Sequence, residues 1–125
     1  IVIIVVAVLI LLYVLRQIIR GKRATPVDMN EKIVIITGSS SGIGKENAFE
    51  LLKQGATVIF ACRSANKTLK AIEQTKDIPQ GKYATSAFER SVFLKLELSS
   101  FFSVKNFVTE FKAKYNRLDL LINNA

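Results

Sequence analysis

The feature that most constrains the fold is a glycine-rich segment placed directly after a short apolar run. Residues 33–36 are apolar and β-branched, and residues 37–44 then read Thr-Gly-Ser-Ser-Ser-Gly-Ile-Gly. Gly38 can adopt the positive φ that a tight turn needs, and the missing Cβ atoms of Gly42 and Gly44 let a ligand and the strand approach the helix start closely. The unpaired N–H groups of a helix start attract phosphate. The segment therefore predicts a nucleotide-binding turn.

The chain after this turn alternates between strand-like and helix-like patterns. Predicted strands cover residues 32–37, 57–61, 91–96 and 118–122, and predicted helices cover residues 43–54, 65 to about 76, and a stretch capped by Ser99 or Ser100. Continuously apolar strands are typical of a parallel sheet covered on both faces. We therefore predict an α/β fold, the N-terminal half of a Rossmann-type doubly wound parallel sheet with strand order 3-2-1-4. Its ligand would bind over the carboxyl ends of the strands, between Gly38 and Asn123.

Two further expectations concern packing. Residues 77–90 contain Pro79 and Gly81 without helical periodicity, and they are long for a connection, which predicts a mobile surface insertion. In the last helix an apolar stripe is expected to pack on the sheet as core. Its members are Phe101, Val104, Val108, Phe111 and Tyr115.

The first 20 residues predict a transmembrane anchor. Residues 1–15 are apolar apart from the amphipathic Tyr13, and basic residues follow the run rather than precede it. A signal peptide carries its positive charge before the apolar run and ends at small residues. The order of charges here therefore favours an anchor, and a signal peptide stays as an alternative. A buried core helix is the third interpretation of this segment.

Residues 21–30 predict a basic linker and residues 31–125 a partial dinucleotide-binding domain. The positive-inside tendency predicts that this domain lies on the cytoplasmic side of the membrane.

Composition excludes several classes of chemistry. The formal charge is +8, but from Asp28 onward 14 basic residues face 10 acidic ones, and no aromatic and basic interleaving suits nucleic acid. Cys62 is the single cysteine and histidine is absent, which excludes an internal disulfide, a thiolate zinc site and Ser-His-Asp catalysis. No metal site is predicted, and Cys62 is read as a small packing residue rather than a reactive thiol.

Two motifs at matching positions resemble the short-chain dehydrogenase/reductase family. Members carry T-G-x-x-x-G-x-G after the first strand and N-N-A-G after the fourth, and residues 37–44 and 123–125 match these motifs. The resemblance covers residues 32–125. Within the family, the run Ala61-Cys62-Arg63-Ser64, residues 96–100 and the N-terminal anchor look most like the retinol dehydrogenase branch. That branch implies a membrane-attached enzyme, NADP as cofactor and a lipophilic alcohol or carbonyl, such as a retinoid or steroid, as substrate.

The end of the second strand indicates which cofactor is bound. An NAD enzyme places Asp or Glu there for the ribose hydroxyls, and that carboxylate would repel a 2′-phosphate. Here neutral Cys62 fills the position and Arg63 follows, so NADP is favoured, with Ser64 as an additional donor. The resemblance further implies that Glu97 and Leu98 contact the adenine. The family usually has Asp at the position of Glu97.

The resemblance also implies that Asn123 and Ala125 lie along the ribose, although Asn123 and Asn124 can equally tie strands together. The cofactor-binding set is completed by the turn, with Gly38, Ser39, Ser40, Ser41, Gly42, Ile43 and Gly44.

No catalytic residue is assigned in this chain. The family uses a Tyr-x-x-x-Lys pair, but Tyr13, Tyr83 and Tyr115 are followed four residues later by Gln17, Ala87 and Asp119. The resemblance predicts that the gene continues past Ala125 with Gly, Ser and the Tyr-x-x-x-Lys pair. We expect the 125 residues alone to be inactive, poorly soluble and weak in cofactor binding, because strand four would be an exposed edge. The alternative is a catalytically dead, membrane-tethered nucleotide-binding or interaction module. The branch suggests the endoplasmic reticulum, and homo-oligomerisation stays open.

Overall fold

The computed structural model describes residues 1–21, 25–79 and 81–125. The linker predicted at residues 21–30 includes Lys22 and Arg23, which lie outside the described residues. Five helical segments and four strands follow one another along the described chain. They are α1 (Val2–Ile19), β1 (Ile33–Thr37), α2 (Gly42–Lys53), β2 (Thr57–Cys62), α3 (Ala65–Glu73), a 3-10 turn (Gln74–Asp77), β3 (Ser91–Lys95), α4 (Phe101–Lys114) and β4 (Leu120–Ile122).

The four strands form one parallel sheet in the order β3-β2-β1-β4. The register aligns Ile35 of β1 with Ile59 of β2 and Leu121 of β4. Because β4 is paired only with β1, it is an edge strand, and Leu120 and Leu121 are 37% and 50% exposed. The predicted α/β class and strand order are confirmed.

Alternate strand residues enter two separate apolar cores. On one face Val34, Ile36 and Phe60 pack with Ala48 and Leu52 of α2 and with α3. On the other face Ile35, Ile59 and Leu94 pack with Phe107 of α4. Burial on both faces is the reason these strands carry continuous apolar runs instead of an alternating pattern.

The position of α4 on the sheet corrects part of the predicted stripe. Phe101 is 89% exposed and Val108 is 40% exposed, whereas Phe107, which was not in the stripe, is 8% exposed. Val104, Phe111 and Tyr115 do pack on the core, and the rings of Phe111 and Tyr115 stack with centroids 5.3 Å apart. Burial raises the pKa of Tyr115. The buried face of α4 is therefore centred on Phe107.

The segment before β3 has no regular helix or strand between residues 81 and 90, but it is not a loose insertion. Ala87 is fully buried, and the Arg90 guanidinium donates to the carbonyl oxygens of Leu52, Ala56 and Tyr83. These bonds fasten the segment to the end of α2. The expectation of a mobile surface insertion was therefore wrong about the packing of this segment, because Arg90 ties it to the fold through hydrogen bonds to backbone carbonyl oxygens.

The first helix, α1, has no buried residue. Within the described part of the chain, α1 is the single helix that is both long enough and apolar enough to cross a membrane. Its position near the N-terminus also fits a signal sequence. Eighteen helical residues span about 27 Å, close to the roughly 30 Å thickness of a hydrocarbon core.

Candidate functional site

The glycine turn joins β1 to α2, and the buried side chain of Ser39 stabilises it. Gly38 and Gly42 have φ values of +64° and +58°, the left-handed region that favours glycine. Ser39 is fully buried, its hydroxyl donates to the carbonyl oxygen of Ile36 at 2.9 Å, and it lies 3.4 Å from the Sγ of Cys62. The Ser39 side chain therefore supports the turn from inside and does not reach the ligand side. Cys62 is buried, as expected for a packing residue.

Gly44 is required by close packing rather than by its φ. A Cβ on Gly44 would lie 2.5 Å from the side-chain nitrogen of Asn124 and 2.6 Å from the carbonyl oxygen of Gly38. A Cβ on Gly42 would meet nothing within 4 Å, so the turn is open to an incoming group at that position. The two glycines thus have different functions: Gly44 lets the turn close on the end of β4, and Gly42 leaves space for a ligand.

The start of α2 offers donors without a side-chain cap. Ser41 occupies the N-cap position in an extended conformation, and its side chain makes no capping hydrogen bond. The first N–H groups of the helix consequently keep their capacity to bind an anion. Ser41, Gly42 and Ile43 are all exposed, with Ile43 at 75%.

The hydroxyl of Thr37 joins the ends of β1 and β4. It accepts hydrogen bonds from the backbone N–H groups of Asn124 at 2.9 Å and Ala125 at 3.1 Å, and it lies 3.4 Å from the carbonyl oxygen of Ile122, to which it can donate. The Asn124 side chain donates to the carbonyl oxygen of Gly38 at 3.2 Å. The strand-tying function foreseen for the two asparagines therefore belongs to Asn124, while Asn123 is exposed.

A pocket of about 350 Å³ opens over the carboxyl ends of β1, β2 and β3. It brings together seven of the residues singled out from the sequence, with Cys62 and Lys67 beside them. The seven are Gly38, Ser40, Arg63, Ser64, Glu97, Leu98 and Ala125. The other six are not in its wall: Ser39 is buried, Gly44 packs against Asn124 and Gly38, and the remaining four are exposed, namely Ser41, Gly42, Ile43 and Asn123.

Lys67 was missed by the sequence reasoning, although a signal for it exists. Ser64 caps α3, and its Oγ accepts from the backbone N–H of Lys67 at 3.4 Å. A residue three positions after a helix cap lies in the first turn, above the strand end that leads into the helix. The pairing of Arg63 and Lys67 on one pocket wall could therefore have been expected from the predicted cap.

The charge distribution of the pocket is mixed. Arg63 and Lys67 supply positive charge, and Glu97 supplies negative charge. The Nε of Arg63 lies 3.7 Å from the Oε2 of Glu97, with 79% of the Arg63 side chain exposed. Phosphate groups suit the two cations, because guanidinium and ammonium groups form charge-assisted hydrogen bonds with phosphate oxygens. The described residues contain no group of three or more His, Cys, Asp or Glu side chains that could hold a metal ion.

Comparison with known proteins agrees with this geometry. The family model for the short chain dehydrogenase matches residues 32–125. The chain is 37% identical to retinol dehydrogenase 12 of Mus musculus over 105 residues, which is 84% of the chain and 31% of that protein. It is 38% identical to dehydrogenase/reductase SDR family member 13 of Homo sapiens over 98 residues, covering 78% of the chain and 24% of that protein. The chain thus spans about a third or less of these relatives.

Solved structures give the same result. Menthone neomenthol reductase from Mentha piperita superposes with a TM-score of 0.67 at 30% identity, covering 75% of this chain and 31% of that one. L-sorbose reductase from Gluconobacter frateurii, complexed with NADPH and L-sorbose, gives a TM-score of 0.66 at 26% identity, covering 81% of this chain and 35% of that one. Together with the match over residues 32–125, these similarities show that the chain belongs to the short-chain dehydrogenase family, in its retinol dehydrogenase branch.

Proposed function

We propose that this chain is the cofactor-binding part of a membrane-anchored, NADP-dependent oxidoreductase that interconverts a lipophilic alcohol and the corresponding carbonyl. The observation that carries the choice of cofactor is the wall of the pocket at the end of β2. There Arg63 and Lys67 line the same pocket as Gly38 and Ser40, and the position that would hold an NAD-selecting carboxylate is the buried, neutral Cys62.

The residues present fit an adenine dinucleotide with a 2′-phosphate. The open turn at Gly42 and the uncapped start of α2 suit the pyrophosphate, and Leu98, 58% exposed on the pocket wall, offers an apolar surface for the adenine. Arg63 and Lys67 suit the 2′-phosphate. Ser64 adds a hydroxyl whose oxygen accepts from the backbone N–H of Lys67 and whose hydrogen can still be donated. When bound, the cofactor would accept a hydride from the alcohol or donate one to the carbonyl, and the residues of this chain would hold its adenosine and pyrophosphate groups.

The lipophilic substrate and the membrane belong to the same proposal. Two relatives are named retinol dehydrogenase 12, which supports a lipophilic alcohol as substrate. The helix α1 supports attachment as a single-pass N-terminal anchor, and Arg16 and Arg20 after its apolar run favour a cytoplasmic domain. The endoplasmic reticulum is proposed as the membrane only from the resemblance to the retinol dehydrogenase branch. Resistance of the protein to alkaline carbonate extraction, with the domain open to protease in intact microsomes, would agree with this topology. Protection from protease would contradict it.

The cofactor proposal is tested by binding measurements on the complete protein. Dissociation constants for NADPH and NADH are compared in the wild type and in Arg63→Ala. Loss of charge-assisted hydrogen bonds to phosphate, each about 1.5–3 kcal/mol, predicts NADPH binding weakened by roughly 10-fold or more, with NADH binding nearly unchanged. A wild-type preference for NADH that is unaffected by Arg63→Ala would overturn the NADP assignment. NADPH binding without turnover of any retinoid or steroid alcohol would favour a nucleotide-binding module.

A further inference from the structure

The ion pair between Arg63 and Glu97 lies in the wall of the pocket that the cofactor would occupy. Arg63 follows the last residue of β2, and Glu97 lies two residues beyond the end of β3, the neighbouring strand. Both residues line the same pocket, and the Arg63 Nε lies 3.7 Å from the Glu97 Oε2. The pair therefore joins the ends of two neighbouring strands in the wall of one pocket.

The two partners differ in how firmly they are held. The Oε1 of Glu97 accepts a hydrogen bond from the Ser99 hydroxyl at 2.9 Å, and the backbone N–H of Glu97 donates to the Ser103 hydroxyl at 2.8 Å. The Arg63 side chain is 79% exposed, compared with 31% for Glu97. The Glu97 carboxylate is therefore oriented by Ser99, and it forms an ion pair with the largely exposed guanidinium of Arg63.

A 2′-phosphate would have to compete for the same guanidinium. A phosphate bound to Arg63 while Glu97 stays in contact would place two negative groups on one cation, and like charges at short range repel each other. When a dinucleotide without this phosphate binds, Arg63 has no new anionic partner and keeps Glu97. The carboxylate thus acts selectively against the phosphorylated dinucleotide.

We propose that Glu97 is a specificity-determining residue that competes with the 2′-phosphate for Arg63 and so moderates the preference for NADP over NAD. This inference rests on the proposed NADP function. Its physical size is that of an exposed ion pair, which is small but measurable in a ratio of affinities.

Glu97→Gln is the discriminating substitution. Glutamine keeps the length of the side chain, an oxygen that can accept from Ser99 and an acceptor for an adenine amino group, and it removes only the charge. In the complete protein we expect NADPH to bind about two- to five-fold tighter in Glu97→Gln, with NADH binding changed by less than about two-fold. In the Arg63→Ala background the same substitution should lose most of its effect on the affinity ratio.

Glu110→Gln provides the matched control, because Glu110 is an exposed carboxylate on α4 that is absent from the pocket wall. It removes the same charge and should leave the ratio unchanged. Weaker NADPH binding in Glu97→Gln would mean that Glu97 orients Arg63 for phosphate, and an equal change for both cofactors would mean that it contacts only the adenine; either result overturns the inference. If wild type and Arg63→Ala show no NADPH preference, the proposed function itself fails, which is a distinguishable result.

Discussion

The side-chain amide of Asn124 donates a hydrogen bond to the carbonyl oxygen of Gly38 at 3.2 Å and so closes the glycine turn onto the end of β4. Asn124→Ala removes this bond and should lower the free energy of unfolding by about 1 kcal/mol. It should also weaken NADPH binding, because the turn loses a support. Asn123→Ala is the matched control for the effect on stability, since the neighbouring Asn123 is exposed. Equal effects of the two substitutions in thermal denaturation would contradict the assignment.

Thr37 is expected to be more sensitive than Asn124. Its buried hydroxyl accepts from two backbone N–H groups, those of Asn124 and Ala125. Thr37→Val keeps the shape and leaves both donors without this acceptor, which should cost about 1–3 kcal/mol of unfolding free energy. Thr37→Ser keeps the hydroxyl and should retain most of the stability. Urea denaturation of both variants checks the prediction, and a valine variant as stable as the serine variant would refute it.

Alanine substitutions at Gly44 and Gly81 test whether the space around Gly44 is needed, with Gly81 as the control. The Cβ of alanine at position 44 would lie 2.6 Å from the Gly38 carbonyl oxygen, a backbone atom, whereas one at position 81 would meet nothing within 4 Å. Gly44→Ala should therefore destabilise the fold by about 1–3 kcal/mol and abolish tight NADPH binding, because the turn must shift. Gly81→Ala should change neither property. Fluorescence titration with NADPH, together with denaturant unfolding, separates the two variants.

The sheet and most of the pocket could be predicted from the sequence because their signals are local. Apolar β-branched runs specify strands buried on both faces, and the glycine turn specifies which strand end meets the ligand. Serine caps fixed the starts of α3 and α4 for the same reason, with Ser64 and Ser100 each accepting a backbone N–H three residues on. These elements need no knowledge of distant contacts.

The errors concern side chains whose partners are far away in sequence. In α4 a stripe through Phe101 and Val108 and one through Phe107 both fit a helical period, and only contact with the sheet decides between them. Arg90 donates to Leu52 and Ala56, which precede it by 38 and 34 residues. Hydrogen bonds between residues this far apart in the chain cannot be predicted from the local sequence pattern.

Among the arginines in residues 1–21, 25–79 and 81–125, Arg90 is predicted to be the most important for stability. Its guanidinium donates to the carbonyl oxygens of Leu52, in the last turn of α2, and of Ala56, just beyond that helix, where the helix dipole favours positive charge. Arg90→Met should lower the free energy of unfolding by about 2–3 kcal/mol. Arg63→Met is the control, because Arg63 is 79% exposed and makes one ion pair at 3.7 Å. Comparable midpoints of urea unfolding for the two variants would be inconsistent with this function of Arg90.

Asp119 should make the pairing of β4 with β1 dependent on pH. Its Oδ2 accepts from the backbone N–H of Ile33 at 2.8 Å and from the Nε of Arg117 at 3.2 Å, at the start of both strands. The hydrogen bond from Ile33 is the main reason that the pKa of Asp119 lies below its ordinary value of 3.8, and Arg117 lowers the pKa further. A carboxyl group with a lowered pKa stabilises the fold in its charged form. That stabilisation is complete above the ordinary pKa and is lost as the pH falls through and below it.

Asp119→Asn should therefore be less stable than the wild type at pH 7, and the difference should shrink as the pH falls below about 4. Thermal melts between pH 7 and pH 2.5 measure it. Arg117→Met tests which contact dominates: because the Ile33 N–H remains, this variant should keep most of the pH-dependent stabilisation that Asp119→Asn loses. If Arg117→Met removes the pH dependence as completely as Asp119→Asn does, the ion pair rather than the backbone hydrogen bond controls the carboxylate. In that case Asp119 stabilises the start of β4 mainly through Arg117, which also donates to the carbonyl oxygen of Glu31.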